Sequence, residues 1–363
     1  MGLECSDHEN LLNNLKICGQ IILTRLNLLK ISYNRNVIMK SKEFIELYKK
    51  RGYSEAKITE AVNCIKDFEK YLKNNHSNFD KVSIEDVKKY LDLLVKKNMN
   101  SPERIIALAR YCYTIGKNDI YIYFTRITGG MGVIENIKKR SGRYAGEDVT
   151  SQIFDDLAFV PLGRSVEHLA LFTEKLMKKM FANLPKNQVH KILAGNNHNI
   201  PLESFKKEKE YYQNSDSLET YLKERHARKV KVLQHHCDTN TVWFEQKITK
   251  PVVDFVKENQ EILSAVKKGN KLYITKIPYD PENYLKEKDP KKKRYYGCHC
   301  PFARESIMNP ENNIKSDWCY CSAGFTKLPF EYILDKELDI KVISSILAGD
   351  DICRFEIVLP ENF

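Results

Sequence analysis

Apolar residues recur at helical spacing through most of this chain, and alternate in the strand manner only toward its C-terminal end. Ser41 predicts the start of a short helix that runs through Lys50 and stops at Gly52. Ser54 predicts the cap of a longer one, with Ile58, Val62, Ile65 and Leu72 along one stripe. Ser83 followed by Asp86 has the form of a capping box ahead of Val87, Leu91, Leu94 and Val95. Ser101 before Pro102 opens a further helix that Gly116 closes, because proline suits the first helical turn and glycine the position just past the last. Residues 39–127 therefore read as a helical domain, and residues 1–38, which carry no capped helix, as a loosely attached extension.

The glycines at 129, 130, 132, 142, 146 and 163 give residues 128–164 the composition of a connecting segment. Its TGGMG run lacks the lysine and hydroxyl of a phosphate-binding loop and reads as a turn. Helical spacing resumes from Ser165, with Val166, Leu169, Leu176, Met177 and Met180 on one stripe, and continues in helices near 186–194, 202–230 and 249–268. KLYITKIP then reads as a strand, and LKEKDPKKKR as the basic tip of a hairpin returning through YYGCHCPF. The end of the chain reads as helix, strand, turn and strand: SAGFTKLPFEYIL, then Leu338, Ile340 and Val342, then Gly349-Asp350-Asp351, then CRFEIVLP. The expected fold class is α+β, a helical N-terminal domain followed by a helix-rich domain, residues 165–363, that ends in a mixed β-sheet.

Composition adds little to that pattern except at the cysteines. With 363 residues, 42% of them hydrophobic, the chain is long enough for two or three domains. Its net charge of +11 is spread over lysine–glutamate stretches such as residues 206–231, which reads as a solvated surface with affinity for anions. The best apolar stretch, residues 17–32, is interrupted by Arg25 and Lys30, so no membrane span is expected. Ten cysteines without a secretion signal point to a reducing cytoplasm. Cys5, Cys18, Cys64, Cys112 and Cys237 stand singly, whereas Cys298, Cys300, Cys319, Cys321 and Cys353 crowd the last part of the chain.

Those five thiols, with His299, are the ligand types of zinc or another soft-to-borderline metal, and zinc is the expected cofactor if a metal is held. On extended backbone the residues of each C-x-C pair present their sulfurs to one face, but roughly 6.5 to 7 Å apart, so chelation requires the backbone to bend. The alternative chemistry is a reactive thiol. Cys298 or Cys300 would be activated by His299 or Arg304, with Glu305 orienting the group or exchanging a proton. A third reading leaves all five as inert small hydrophobes in a scaffold. The run His235-His236-Cys237-Asp238 reads as a solvated loop, since adjacent side chains diverge, and His226 as part of a basic helix face.

Two resemblances extend these readings. FIELYKKRGYSEAKITEAVNCIKDFEKYL and VSIEDVKKYLDLL resemble the SAM-like core-binding domain of phage-type integrases, which implies nucleic acid as a partner of the N-terminal helices. The chain lacks the recombinase catalytic set, since His226-Ala-Arg228 has the wrong spacing, so what is implied is a ligand-sensing DNA-binding regulator. CYCSAGFTKLPFEYILDKELDIKVISSILAGDDICRFEIVLP resembles the C-terminal part of the 4-vinyl reductase superfamily of small-molecule-binding domains. It is also similar to the L-2-amino-thiazoline-4-carboxylic acid hydrolase family. The likeness covers residues 271–360 and extends to uncharacterised relatives with the same CHCPFARES and CSAGF runs. It implies a small sulfur- or nitrogen-containing ligand that is bound or hydrolysed. In that superfamily's metal site Cys321 and Cys353 match the outer cysteines, while Val342 and Ser345 stand where an acid and a cysteine are usual. Cys298, His299 and Cys300 are then the residues to complete it.

Overall fold

The computed structural model describes residues 42–164, 166–309 and 311–361. The extension expected over residues 1–38, Ser41, Ser165, Cys5 and Cys18 lie outside the described residues. The class is α+β, as the hydrophobic pattern predicts, and no helix among the described residues is long and apolar enough to cross a membrane.

The chain divides into two compact units. One holds the described residues through Phe79 together with Ala107–Lys117; the other holds Asp80–Ile106 and the chain from Asn118 onward. The first unit contains residues 42–50 and the helix Glu55–Asn74, whose N-cap Ser54 accepts a hydrogen bond from the Lys57 amide. Its apolar stripe is buried through Ile58, Ala61, Cys64, Ile65, Phe68 and Leu72. Aromatic rings fill the centre, with Phe44 against Tyr111 at 5.6 Å and Tyr111 against Phe79 at 4.9 Å. The Arg110 guanidinium lies over Tyr48 and Tyr53 at 5.0 and 5.1 Å, in cation–π contact.

The helical domain expected over residues 39–127 is thus not one compact unit, and the connection expected over residues 128–164 is folded. Ile84–Lys96, whose Ser83–Asp86 capping box is complete, groups with the second unit. Within 128–164 stand the helices Val133–Ala145 and Glu147–Phe154, with Val133, Ile137, Ile153 and Phe154 fully buried. The glycines are joints. Gly132 (φ 73°) caps the first helix and Gly146 (φ 86°) lies between the two, both in conformations that residues with a Cβ rarely adopt.

In the second unit, that pair packs with Val166–Asn183 and Lys186–Leu193 in one core that also takes in Phe302, Trp318 and Cys321. A hairpin, β1 (Val242–Trp243) and β2 (Gln246–Lys247), precedes a four-stranded sheet made of β3 (Val266–Lys268), β4 (Lys271–Thr275), β5 (Asp339–Ser344) and β6 (Arg354–Val358). The strand order is β3-β4-β6-β5 and every neighbouring pair is antiparallel, so the sheet is not mixed; among the described residues an isolated Ile262–Thr275 bridge runs parallel. The helix Tyr320–Leu334 packs Ala323, Phe330, Ile333 and Leu334 against Leu272, Phe355 and Ile357 of that sheet.

The expected hairpin with a basic tip is also absent. Its PKKKR core forms the helix Pro290–Gly297, because Asp289 caps it from the Lys292 amide at 2.7 Å and Pro290 fits the first turn. Likewise His235, His236, Cys237 and Asp238 form the last turn of the helix Leu218–Asp238 rather than a loop.

Candidate thiol-lined cavity

Three short segments deliver the five clustered cysteines to one place. Cys298 ends the helix Pro290–Gly297 in extended conformation, and Cys300 follows two residues later, before the short helix Arg304–Met308. Cys319 closes a 3-10 turn, Ser316–Cys319, and Cys321 lies in the first turn of Tyr320–Leu334, so this second pair is helical where an extended backbone was expected. Cys353 stands immediately before β6. Its carbonyl accepts from the Lys276 amide at 3.0 Å, and its neighbour Arg354 is clamped by both carboxylate oxygens of Glu261 at 2.6 and 2.9 Å.

All five sulfur-bearing residues, with His299, His198, Trp318, Lys276 and Arg126, line a single cavity of about 190 Å³. The Trp318 indole N–H donates to Cys300 Sγ at 3.1 Å, and Cys321 Sγ lies 3.9 Å from His198 Nε2. His299 Nε2 is 2.7 Å from the Ile277 carbonyl, and its Nδ1 lies 3.8 Å from Glu245.

Burial sets the protonation of this cavity. It pushes the thiols of Cys298 and Cys321 up to about 12 and those of Cys300, Cys319 and Cys353 upward as well. Burial, reinforced by the nearby Lys276 charge, lowers His198 to about 4 and also lowers His299. Thiols and imidazoles are therefore neutral together at pH 7, which reverses the thiolate expected at Cys298 or Cys300. An activating cation must outweigh desolvation, and here desolvation is the largest influence on every one of these groups.

The expected auxiliary residues are otherwise engaged. Arg304 is buried, with its guanidinium over the rings of Tyr279 at 4.0 Å and Tyr295 at 5.1 Å. Glu305 is held by Arg126 and by the Tyr295 hydroxyl at 2.9 Å. Neither lines the cavity. Ser345 caps the turn Ile346–Ala348 through the Ala348 amide, and Val342 packs against the sheet core. Among the described residues, no three His, Cys, Asp or Glu side chains are arranged to hold a metal ion.

His198, Lys276 and Trp318 were not marked by any spacing in the sequence. His198 follows Asn197, which is fully buried and bonds the Leu193 carbonyl at 2.6 Å after the helix Lys186–Leu193. Gly324 allows this loop to reach the cavity. A Cβ there would lie 2.5 Å from the Ala194 carbonyl carbon and the Gly195 oxygen, both backbone atoms that cannot swing aside. Gly324→Ala is expected to destabilise the second unit by roughly 1–3 kcal/mol, through the strain of overpacking. Urea denaturation followed by circular dichroism checks this, and an unchanged midpoint would show that the loop yields freely.

Residues 283–363 match the model of a family described as a family of unknown function (DUF6144). That segment carries all five cysteines of the cavity and His299. No curated protein and no solved structure shows significant similarity to the chain.

Proposed function

We propose that this protein binds a small molecule in the cavity walled by Cys298, Cys300, Cys319, Cys321 and Cys353, and that its thiols act there as neutral, polarisable contacts. The observation that carries this reading is the convergence of five cysteines from three segments on one concave, largely apolar cavity. Cysteines that merely fill a core pack against other side chains, in interiors with few voids larger than a water molecule.

Binding is favoured over hydrolysis by the protonation pattern. Cys321 and His198 form a cysteine–histidine contact, but a nucleophilic pair needs the thiol lowered and the imidazole raised, and burial moves each the other way. The resemblance to a small-molecule-binding superfamily supports the same reading.

A thermal-shift screen of a metabolite collection tests it, run on the wild type and on Cys300→Met and Cys353→Met, whose longer side chains extend into the void. Compounds that raise the melting temperature of the wild type are expected to lose that effect in the filled variants, while the unliganded variants melt no lower. Equal stabilisation of all three proteins, or no stabilising compound at all, would remove the proposal.

A further inference from the structure

A second, larger cavity of about 440 Å³ adjoins the thiol-lined one, and Lys276, His299, Glu245 and Phe325 form wall common to both. Its remaining surface is mostly apolar, with Trp243, Leu263, Ile274 and Ile277 among the lining side chains. The volume lies in the range of pockets that enclose most of a drug-sized molecule, whereas the thiol cavity alone does not reach it.

Two cations border this chamber and differ in how they are matched. Arg225 donates to the Tyr221 hydroxyl at 3.0 Å and lies 3.6 Å from Glu208, so its charge is answered within the fold. Lys276, at the junction, donates to Ser322 Oγ at 3.0 Å and lies 5.5 Å from the centre of the Phe325 ring. No carboxylate among the described residues lies within ion-pair distance of it. Glu245 faces the same chambers, and its carboxylate is 3.8 Å from His299 Nδ1. Among the described residues the Lys276 ammonium has a hydroxyl and a ring face as its partners while Glu245 is turned to His299, and at the junction of an apolar chamber and a thiol-lined cavity it favours a negatively charged group on a ligand.

We infer that the ligand is an amphipathic monoanion: its apolar body occupies the larger chamber, its carboxylate or other singly charged acid group pairs with Lys276, and a small substituent enters the thiol cavity. This rests on the small-molecule-binding reading above and adds the ligand's charge, size and orientation. Lys276 provides the anion's partner, and the apolar walls provide most of the affinity without fixing one headgroup.

Two fluorescent probes of similar apolar size separate the contributions: anilinonaphthalene sulfonate, which carries one negative charge, and the neutral N-phenyl-naphthylamine. Both are titrated into the full chain, and competition between them establishes a shared site. Lys276→Met is expected to weaken the anionic probe by about tenfold or more, the worth of a charge-assisted hydrogen bond in a sheltered site, and to leave the neutral probe unchanged. Lys276→Arg is expected to retain the anionic probe within about threefold. Equal affinity of the anionic probe for wild type and Lys276→Met, or failure of the two probes to compete, overturns the inference. Loss of both probes in Lys276→Met with an unchanged melting temperature overturns it too, since the lysine would then shape the chamber rather than select charge. These outcomes are independent of the methionine-filled thiol cavity variants, whose behaviour judges the binding proposal itself.

Discussion

Raising the pH from 9 toward 12 is expected to unfold the second unit cooperatively, first through its buried thiols and, above about pH 10, also through Tyr123, Tyr221, Tyr279 and Tyr284, which burial pushes up to about 12. The sign follows from the thiols. Cys298 and Cys321 ionise near pH 12 in the fold, because burial penalises the thiolate, but near pH 8.5 in the unfolded chain. Between those values the unfolded state gives up protons that the folded state keeps. The stabilisation is therefore complete below about pH 8.5 and is lost as the pH rises through the folded value. Each such thiol withdraws on the order of 5 kcal/mol by the top of the window, at 1.36 kcal/mol per unit. Two of them together match the whole stability of an ordinary domain, which is about 5–15 kcal/mol. Cys300, Cys319 and Cys353 push the same way. Urea denaturation at pH 8, 9, 10 and 11 would show a falling midpoint, with a shallower fall in a Cys298→Ala, Cys321→Ala variant. A midpoint flat to pH 11 would mean that these thiols ionise in the fold as readily as in the unfolded chain, and would restore the nucleophile that burial argues against.

The local signals in the sequence were strong where one short segment decides the structure. The Ser83–Asp86 box, the Ser54 cap and the order helix, strand, turn, strand at the C-terminal end each depend on neighbours a few residues away, and each is present. Glycine content misled because composition does not distinguish a flexible connection from two helices joined at Gly146 with φ 86°. The basic run after Asp289 misled for the converse reason: a capping side chain and a proline in the first turn outweigh the strand-like flanks. At the cavity, the crowding of five cysteines was visible, and the resemblance to a ligand-binding superfamily brought Cys321 and Cys353 to one site. The partners that determine its chemistry were not visible. His198 arrives from a loop more than a hundred residues earlier, through the close approach that Gly324 permits, and Lys276 from the end of β4. The direction of the thiol shift depends on how completely the site is enclosed, which no spacing encodes.

Trp318 is expected to be the most costly single residue to truncate at this site, and the pattern of loss separates its two roles. The side chain is 1% exposed, its ring meets Phe302 edge-on at 5.7 Å, and its N–H donates to Cys300 Sγ at 3.1 Å. Trp318→Ala removes the largest fully buried side chain from the core shared with Val166–Asn183 and Lys186–Leu193, and is expected to cost about 3–5 kcal/mol. Trp318→Phe keeps much of the packing but deletes the donor to sulfur. Its stability loss should be the smaller of the two, and the Cys300 thiol, no longer stabilised as a thiolate by that N–H, should be pushed up further. The check is urea denaturation of both variants together with the rate of iodoacetamide labelling at Cys300 across pH 7 to 9, before the alkaline loss of stability, read by mass spectrometry. Slower labelling in Trp318→Phe at each pH, with the fold intact, places the indole as a contact that tunes the thiol. Faster labelling would instead mean that the ring acts as a cover over the cavity, so that its hydrogen bond matters less than the access it blocks.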